Sequence, residues 1–156
     1  MMGHVIRPVK LDDVVMVSEI EEASFPDPWD RAIFEEMASH SGTVKTRSGE
    51  SVLMCVMEEE GRVTGYVVWQ QAGRGSIGTV LNIAVKRECR RRGHGRFLMA
   101  HTIEAMRRSG LRVCRLEARE SNMAARLLYE SLGMTPAGRR PGYYGNEDAI
   151  VYTLGL

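Results

Sequence analysis

The stretch that decides the fold is TVLNIAVKRECRRRGHGR, residues 79–96. Its first part, Thr79 to Val85, is a nearly continuous apolar run, which is typical of a strand covered on both faces. A basic turn containing Gly93 and Gly95 follows. From Gly95 to Arg108 apolar residues recur along one stripe, so this part predicts a helix. We therefore expect a buried strand, a loop and a helix in immediate succession.

The flanking sequence predicts six more strands and three more helices. Strands are expected at His4–Pro8, Ser51–Glu58, Arg62–Gln71, Leu111–Ala118, Met134–Arg139 and Asp148–Leu154, and helices at Leu11–Ala23, from about Asp30 to Met37, and at Asn122–Leu132. Residues 40–50 predict a mobile polar loop, and Gly73-Arg74-Gly75 predicts a break. Glu60-Gly61-Arg62 predicts a hairpin turn between two strands. Asp30 or a neighbour is the expected N-cap of the second helix, and Ser121 is that of the last. The order β-α-α-β-β-β-α-β-α-β-β predicts an α/β (α+β) fold, a mixed sheet with helices on its faces, in one domain over residues 1–156.

Composition excludes several classes of protein. The net charge of +1 argues against a protein built to coat nucleic acid. The three cysteines are widely spaced, and no histidine joins them at ligand spacing, so we expect neither a disulfide framework nor a zinc site. No apolar run approaches the roughly 18–20 residues of a membrane span. Charged residues interrupt the N-terminal region before any signal-peptide core, so we expect a cytoplasmic protein.

The basic turn, residues 90–96, has the features of an anion-binding site. A helix N-terminus presents unpaired N–H groups and a partial positive charge, and glycines let the backbone approach a pyrophosphate closely. Arginines add charge-assisted hydrogen bonds. The turn is not a nucleoside-triphosphate P-loop, and it lacks the third glycine of the dinucleotide fingerprint. From these residues alone, a solvated basic turn or an RNA contact stays open.

Six motifs in order carry a resemblance to a known family. They are Asn82–Val85, Arg90–Gly95, Leu116–Arg119, Ser121–Ala125, Leu128–Gly133, and Gly142–Tyr144 with Glu147–Ala149; Phe25–Trp29 adds a seventh segment. The basic turn resembles the Arg/Gln-x-x-Gly-x-Gly/Ala signature of the GNAT superfamily of N-acetyltransferases. More narrowly, the chain resembles the ribosomal-protein alanine N-acetyltransferases and the archaeal N-terminal acetyltransferases.

The resemblance implies a GNAT-like fold: a mostly antiparallel sheet of six to seven strands with four helices. Two central parallel strands, Thr79–Val85 and Leu111–Ala118, would splay around acetyl-CoA and leave backbone groups free for its pantetheine arm. An N–H near Ile83 or Ala84 would polarise the thioester carbonyl. The implied cofactor-binding residues are Ile83, Ala84, Val85, Arg90, Arg91, Arg92, Gly93, His94, Gly95, Arg96, Asn122 and Tyr129, with no metal. Asn122 read alone is equally a helix cap.

The resemblance also implies an acid/base pair, Glu117 and Tyr129. An α-amine has a pKa of about 7.7–8.0, so a carboxylate acting directly or through water can deprotonate it at small cost. The tyrosine would then protonate the departing thiolate. Taken alone, a glutamate at a strand end is ordinarily solvated and a tyrosine on an apolar helix stripe ordinarily belongs to the core. Their twelve-residue separation, however, matches the family.

Substrate binding is implied for two loops over the gap between the splayed strands. The residues are Phe25, Pro28, Trp29, Asn82, Tyr143 and Tyr144, with Pro26 also in the first loop. Pro26 and Gly142 depart from the family pattern, which tends to have asparagine before the two tyrosines. The first loop would equally serve as a hydrophobic anchor between helices. Nearby acidic residues favour a cationic substrate or form a solvated helix face; they are Glu19, Glu21, Glu22, Asp27, Asp30, Glu35 and Glu36.

The function expected is acetyl transfer from acetyl-CoA to the α-amine of a protein N-terminus, a ribosomal protein among the possible acceptors, with no membrane or nucleic-acid partner. An enzyme acting on a small amine or a lysine side chain is the first alternative. A lysine amine has a pKa of about 10.4 and demands a stronger base. A CoA- or RNA-binding module without turnover is the second alternative. The net charge of +1 and the presence of both Glu117 and Tyr129 disfavour it.

Overall fold

A computed structural model describes residues 3–72 and 76–156, so the break predicted at residues 73–75 lies outside the described residues. The strands are β1 (His4–Pro8), β2 (Thr43–Lys45), β3 (Ser51–Glu59), β4 (Arg62–Gln71), β5 (Ile77–Val85), β6 (Val113–Arg119), β7 (Thr135–Arg140) and β8 (Ala149–Gly155). The helices are α1 (Val14–Ser24), α2 (Arg31–Ser39), α3 (His94–Arg108) and α4 (Met123–Ser131), with single 3-10 turns at Leu11–Asp13 and Arg87–Cys89. No helix in the described parts of the chain has the length and apolarity needed to cross a membrane.

The strands form one mixed sheet in the order β1-β3-β4-β5-β6-β8-β7, with β2 beside β3. Every described pairing is antiparallel except that of β5 with β6. The predicted hairpin between β3 and β4 is confirmed: Glu60 and Gly61 both have positive φ, 53° and 77°, as a tight two-residue turn requires. The GNAT-like fold expected from the resemblance is therefore present.

Two hydrophobic clusters cover the two faces of the sheet. On one face α1 and α2 contribute Val17, Ile20 and Phe34, which pack on Tyr66 and Val68 of β4. On the other face α3 and α4 contribute Leu98, Met99, Met106 and Tyr129, which pack on Val67 and Trp69 of the same strand. The alternation of β4 residues between the clusters follows from the two-residue period of a strand.

The two central parallel strands separate after a short paired segment. Pairing of β5 with β6 runs only from Ile77↔Val113 to Thr79↔Arg115, although β5 continues to Val85 and β6 to Arg119. A bulge in the β4–β5 pairing lies on the same stretch: Val68 faces Asn82 and Trp69 faces Val80, which leaves Leu81 unpaired. The splayed geometry expected between these strands is confirmed.

Three local predictions need correction. The stretch 40–50 is not only a loop, because Thr43–Lys45 pairs with β3; three residues are too few to show an alternating pattern. The strand around Leu81 is not covered on both faces, since that side chain is 41% exposed where the sheet opens. Asn122, rather than Ser121, caps α4: its side chain accepts from the Ala125 N–H at 3.2 Å. The predicted cap of α2 by Asp30 is confirmed, with Ala32 as donor.

Candidate active site

The gap between the splayed strands holds two adjoining cavities of about 750 and 680 Å³. The larger, here the acceptor cavity, is lined by residues that include Glu21, Phe25, Asn82, Glu117 and Tyr144. The smaller, here the cofactor cavity, is lined by the end of β5, the basic turn and α4. Six residues line both: Ser24, Phe25, Ile83, Asn122, Ala125 and Tyr129. The two cavities are thus halves of one cleft.

The cofactor cavity presents backbone to its contents. Gly93 has a φ of 83° and is the N-cap of α3, a left-handed conformation that glycine adopts without strain. The Phe97 N–H donates to the Gly93 carbonyl at 3.0 Å. The N–H groups that precede Phe97 belong to the helix start, where backbone N–H groups have no partner within the helix. A Cβ at Gly95 would lie 3.2 Å from Leu128 Cδ2 of α4, so loop and helix are in close contact. This geometry suits a pyrophosphate group.

The arginines of the basic turn divide into different roles. Arg90 ties the turn to its surroundings: its Nε donates to the Val85 carbonyl at 3.0 Å and its guanidinium donates to Ser24 Oγ at 2.9 Å. Arg91 lines the cofactor cavity and has a φ of 61°. Arg96 also lines the cavity and donates to Ser131 Oγ of α4.

Two residues predicted to bind the cofactor have side chains engaged elsewhere. Arg92 is not among the lining residues, and its guanidinium lies 3.7 Å from Glu59 Oε1. The His94 ring is 1% exposed and its Nε2 lies 3.1 Å from His4 Nε2. The first turn of a helix points successive side chains about 100° apart, so a contiguous motif cannot aim all its side chains at one ligand. What His94 offers the cavity is its backbone at the start of α3.

Tyr129 stands where the two cavities meet. It lies on α4, is 7% exposed and lines both cavities. Burial, and to a smaller extent the neighbouring Tyr144, raises the pKa of the Tyr129 hydroxyl above its ordinary value. The hydroxyl therefore stays protonated throughout the neutral range. A group that leaves a molecule bound in the cofactor cavity would therefore meet a protonated hydroxyl at this junction.

Glu117 faces the acceptor cavity from β6. The burial alternation along this strand places Cys114, Leu116 and Ala118 in the core and turns Glu117 to the opposite face. Its side chain is 11% exposed, and its Oε1 contacts the guanidinium groups of Arg115 at 3.0 Å and Arg140 at 3.2 Å. Oε2 has no hydrogen-bond partner among the residues that the structure describes. One carboxylate oxygen is held while the other is available to the cavity.

A buried carboxylate, Glu21, organises the far wall of the acceptor cavity. Its Oε1 accepts from the Tyr66 hydroxyl and from Asn82 Nδ2 (2.6 Å), and its Oε2 accepts from the Trp29 N–H at 2.9 Å. Burial and the hydrogen bond to Glu21 raise the pKa of Tyr66. Since Glu21 is 1% exposed, its three donors replace the water it has lost. The network holds the loop after α1 against β4 and β5.

The loop after α1 lines the cavity in a different way from the prediction. Phe25, Pro26, Asp27 and Trp29 are lining residues, whereas Pro28 is exposed and is not among them. The chain bends at Pro26 and Asp27, and these two exposed residues lie at the cavity while Pro28 does not. Trp29 also stacks on Phe34 at 5.9 Å between ring centroids, so it anchors the helices as well as lining the cavity.

The loop 141–148 closes the other side of the acceptor cavity with two tyrosines. Tyr144 lies under the Arg119 guanidinium at 4.3 Å, and Tyr143 lies under that of Arg140 at 4.5 Å. Gly142, the departure from the family pattern, has a φ of 63°, a left-handed value that asparagine also tolerates. Both predicted tyrosines therefore lie at the cavity.

Acidic residues at one end hold this loop in place. Glu147 accepts from the Ser121 N–H and hydroxyl and from Arg119, each at 3.1 Å. Asp148 accepts from the Gly142 N–H at 2.8 Å and from Arg139 at 3.0 Å. The Ser121 hydroxyl and Arg119 lower the pKa of Glu147, and the Gly142 N–H and Arg139 lower that of Asp148. The loop is thus held by charged groups at neutral pH.

From the sequence, Glu21 and Asp27 were predicted only as members of an acidic group that favours a cationic substrate or forms a solvated helix face, and Glu147 only as part of a family motif. A signal for Glu21 existed: it lies four residues after Val17 and seven after Val14 on α1, so an acidic residue stands in an otherwise apolar stripe. Asp27 and Glu147 sit in loops, where an acidic residue has no distinguishing pattern. Their position depends on how the loops fold.

Comparison with known proteins agrees with this geometry. The model of the acetyltransferase (GNAT) family matches residues 14–134. The [ribosomal protein bS18]-alanine N-acetyltransferase of Escherichia coli K12 is 31% identical over 155 residues, 97% of each chain. The crystal structure of the Escherichia coli ribosomal-protein-S18-alanine N-acetyltransferase superposes with a TM-score of 0.80 and 29% identity, covering 98% of this chain and 94% of that one.

Two further structures share the fold. Ard1 from Thermoplasma volcanium gives a TM-score of 0.83 at 22% identity, with 99% of both chains covered. Arabidopsis thaliana NAA60 in complex with acetyl-CoA gives 0.79 at 17% identity, with 98% of both covered. The family match spans most of the chain, so the protein belongs to the acetyltransferase (GNAT) family. It is an acyltransferase, as the family and the bS18-alanine relative establish.

Proposed function

We propose that this protein transfers the acetyl group of acetyl-CoA to the α-amine of a protein N-terminus. The observation that carries the proposal is the cleft between β5 and β6, whose cofactor half is lined by arginines and whose acceptor half is lined by carboxylates. An anionic pyrophosphate fits the first half, and a cationic amine fits the second. The relative from Escherichia coli is named for the alanine of ribosomal protein bS18, which makes an N-terminal alanine the first acceptor to test.

Acetyl-CoA would lie with its pyrophosphate at the start of α3 and its pantetheine arm along the unpaired edge of β5. The N–H groups of successive strand residues point alternately to the two neighbours, so part of the backbone from Val80 to Val85 faces the gap. In this arrangement the N–H of Ile83 or Ala84 stabilises the oxyanion that forms on the thioester carbonyl. The fold is shared with a protein described in complex with acetyl-CoA.

In the proposed reaction the amine nitrogen attacks the thioester carbon directly. Glu117 takes the proton that the amine loses, directly or through a water molecule. The tetrahedral intermediate collapses, the C–S bond breaks, and Tyr129 donates its hydroxyl proton to the departing thiolate. The products are the N-acetylated terminus and CoA. Each proton is moved by a side chain that lines the acceptor cavity.

Direct attack is favoured over an acetyl-cysteine intermediate. None of the three cysteines is among the residues that line the two cavities. Burial raises the pKa of the Cys55 and Cys114 thiols to about 11, which keeps them in the unreactive protonated form.

The decisive experiment offers acetyl-CoA with short peptides that begin with alanine, serine, methionine or a bulky residue. Each peptide is supplied with a free or a chemically blocked α-amine and with one internal lysine. We expect thiol release with free α-amines and none with blocked ones. Acetylation that survives blocking would instead assign the enzyme to lysine side chains. A lack of thiol release with every peptide, and with small amines offered in the same assay, would favour a binding module without turnover.

A further inference from the structure

Beside the cofactor cavity, which His94 also lines, two histidines and a glutamate from three different elements converge on one point. His4 belongs to β1, Glu59 ends β3 and His94 begins α3. Nε2 of His4 lies 3.1 Å from Nε2 of His94, and Glu59 Oε2 lies 3.3 Å from the first and 3.5 Å from the second. The three side chains are 7%, 26% and 1% exposed in the order His4, Glu59, His94, so the point is nearly enclosed.

Hydrogen bonds alone do not account well for this arrangement. One N–H can point at only one acceptor, so no placement of protons gives all three pairs a well-aligned bond. The two contacts to the carboxylate are also longer than the roughly 2.7–2.9 Å of charge-assisted hydrogen bonds. The atoms are therefore close together but not at the separations that direct bonding favours.

The separations do match the edges of a zinc coordination tetrahedron. Zinc binds imidazole nitrogen at about 2.0–2.1 Å and carboxylate oxygen at about 2.0–2.2 Å. Two ligands at such distances in a tetrahedron lie about 3.3–3.5 Å apart. The observed 3.1, 3.3 and 3.5 Å bracket that value. Two imidazoles and one carboxylate form a donor set that zinc accepts, whereas magnesium and calcium require mostly oxygen ligands.

The surroundings fit the ligand roles. Glu59 turns Oε2 toward both rings, and its other oxygen, Oε1, faces the Arg92 guanidinium at 3.7 Å, which orients the carboxylate. The buried Nδ1 of His94 has no hydrogen-bond partner among the described residues. Among the described residues the ring has polar contacts only at Nε2, and metal binding there would leave the Nδ1 proton without the acceptor that metal-binding histidines usually have. Glu59, the most exposed of the three, leaves one side through which a water ligand can reach the fourth position.

We propose that His4, Glu59 and His94 form a binding site for one divalent transition-metal ion, with zinc as the best fit. The ion would join β1, β3 and the first turn of α3. Because His94 directly follows Gly93 in the basic turn, a bound ion would also fix the position of that turn. The site is separate from the acceptor cavity, and the inference does not depend on which amine the enzyme acetylates.

Untagged full-length protein, freed of metal with a chelator, tests the site by calorimetric titration with zinc chloride. We expect one zinc per chain, and at zinc about 100-fold above Kd an increase in Tm of about 5–10 °C. Magnesium and calcium should give neither effect. The variants His4→Gln and Glu59→Gln each remove a ligand and should raise the Kd of zinc more than about 100-fold. Loss of a residue that only hydrogen-bonds to a ligand costs roughly 10- to 100-fold.

The matched control is His101→Gln, an exposed histidine two turns along the same helix as His94. It should bind zinc like the unaltered protein. The spectrum of the cobalt-substituted protein adds a second test, because nitrogen and oxygen ligands give no intense thiolate charge-transfer band. Absence of zinc binding, zinc binding unchanged in both His4→Gln and Glu59→Gln, or a thiolate band would each overturn the proposal.

Discussion

The two halves of the cleft are built on opposite principles. Arg90, Arg91 and Arg96 line the cofactor half, with no carboxylate among its described lining residues. The acceptor half is lined by four carboxylates, those of Glu21, Asp27, Glu117 and Glu147. Arg119 is the one arginine among its described lining residues. Most of the first half comes from residues 83–96 and offers mainly backbone, and α4 with the loop after α1 completes it. The second gathers side chains from α1, β6 and two loops.

This difference has a consequence for mutations. A site made of backbone tolerates many side-chain changes but is sensitive wherever the backbone conformation requires glycine. A site made of side chains is sensitive to single substitutions that leave the fold intact. The two halves should therefore respond to different variants and in different kinetic parameters, with Tyr129 at their junction affecting the chemical step itself.

The largest effect is expected for the acid/base pair. Tyr129→Phe and Glu117→Gln should each lower kcat on the order of 100-fold or more, because each removes a proton-transfer group from the transition state. The Kd of CoA, measured by calorimetry, should change little. Glu104→Gln, on the exposed face of α3, serves as control. Full activity in both variants would remove the pair from the mechanism.

A glycine exchange separates the cofactor half from the acceptor half. Gly93→Val forces a branched side chain into a left-handed conformation that costs about 1–2 kcal/mol even for ordinary residues, so the Kd of CoA should rise about tenfold. The KM of the acceptor should not follow. Gly95→Ala is the comparison within the turn: Gly95 has no positive φ, so an effect there reports close approach by the cofactor or by Leu128, whose Cδ2 would lie 3.2 Å from the new Cβ. If the two variants raised the Kd of CoA equally, the left-handed backbone at Gly93 would not be what the turn contributes to CoA binding.

Glu21→Gln addresses the acceptor half alone. The amide keeps one acceptor oxygen but places an NH2 group against existing donors, so the network to Tyr66, Asn82 and Trp29 is partly lost. We expect a loss of about 1–3 kcal/mol in the free energy of unfolding. We also expect the acceptor KM to rise several-fold, with the Kd of CoA unchanged. The exposed neighbour Glu22→Gln should match the unaltered protein in both measurements. A selective rise in the Kd of CoA would contradict the division of the cleft.

The smallest effect concerns the loop that carries the tyrosines. The pKa values of Glu147 and Asp148 are lower in the folded protein than in the unfolded chain, where they are about 4.3 and 3.9. Their contribution to the stability of the folded state is therefore complete above those unfolded values and is lost as the pH falls through the folded values. At neutral pH Glu147→Gln should raise the acceptor KM about two- to threefold. Steady-state kinetics at fixed saturating acetyl-CoA measures this. No change in KM would mean that Gly142 and Asp148 suffice to hold the loop.

Much of this molecule could be predicted from patterns along the chain. Apolar periodicity predicted the four α-helices and seven of the eight strands found in the described residues, and missed Thr43–Lys45, a segment of three residues that is too short to show a period. The turn at Glu60 and Gly61 and the cap at Asp30 follow from local chemistry, and the structure confirms them. Acid/base, cofactor and acceptor roles remain predictions that the kinetic experiments above will test.

The sequence by itself determined the part of the cofactor half at residues 83–96, because strand, turn and helix N-terminus are consecutive there and a backbone site needs only their order. Only the tertiary structure decided which side chains meet across the gap. It directs the side chains of Arg92 and His94 toward Glu59 and His4, leaves Pro28 outside the lining of the acceptor cavity and joins Glu21 to the Trp29 N–H. It also places His4 beside His94, ninety positions apart in the chain. Contacts between distant residues depend on the order of the strands in the sheet and on how each helix is rotated about its axis. The local spacing of apolar residues predicts neither of these.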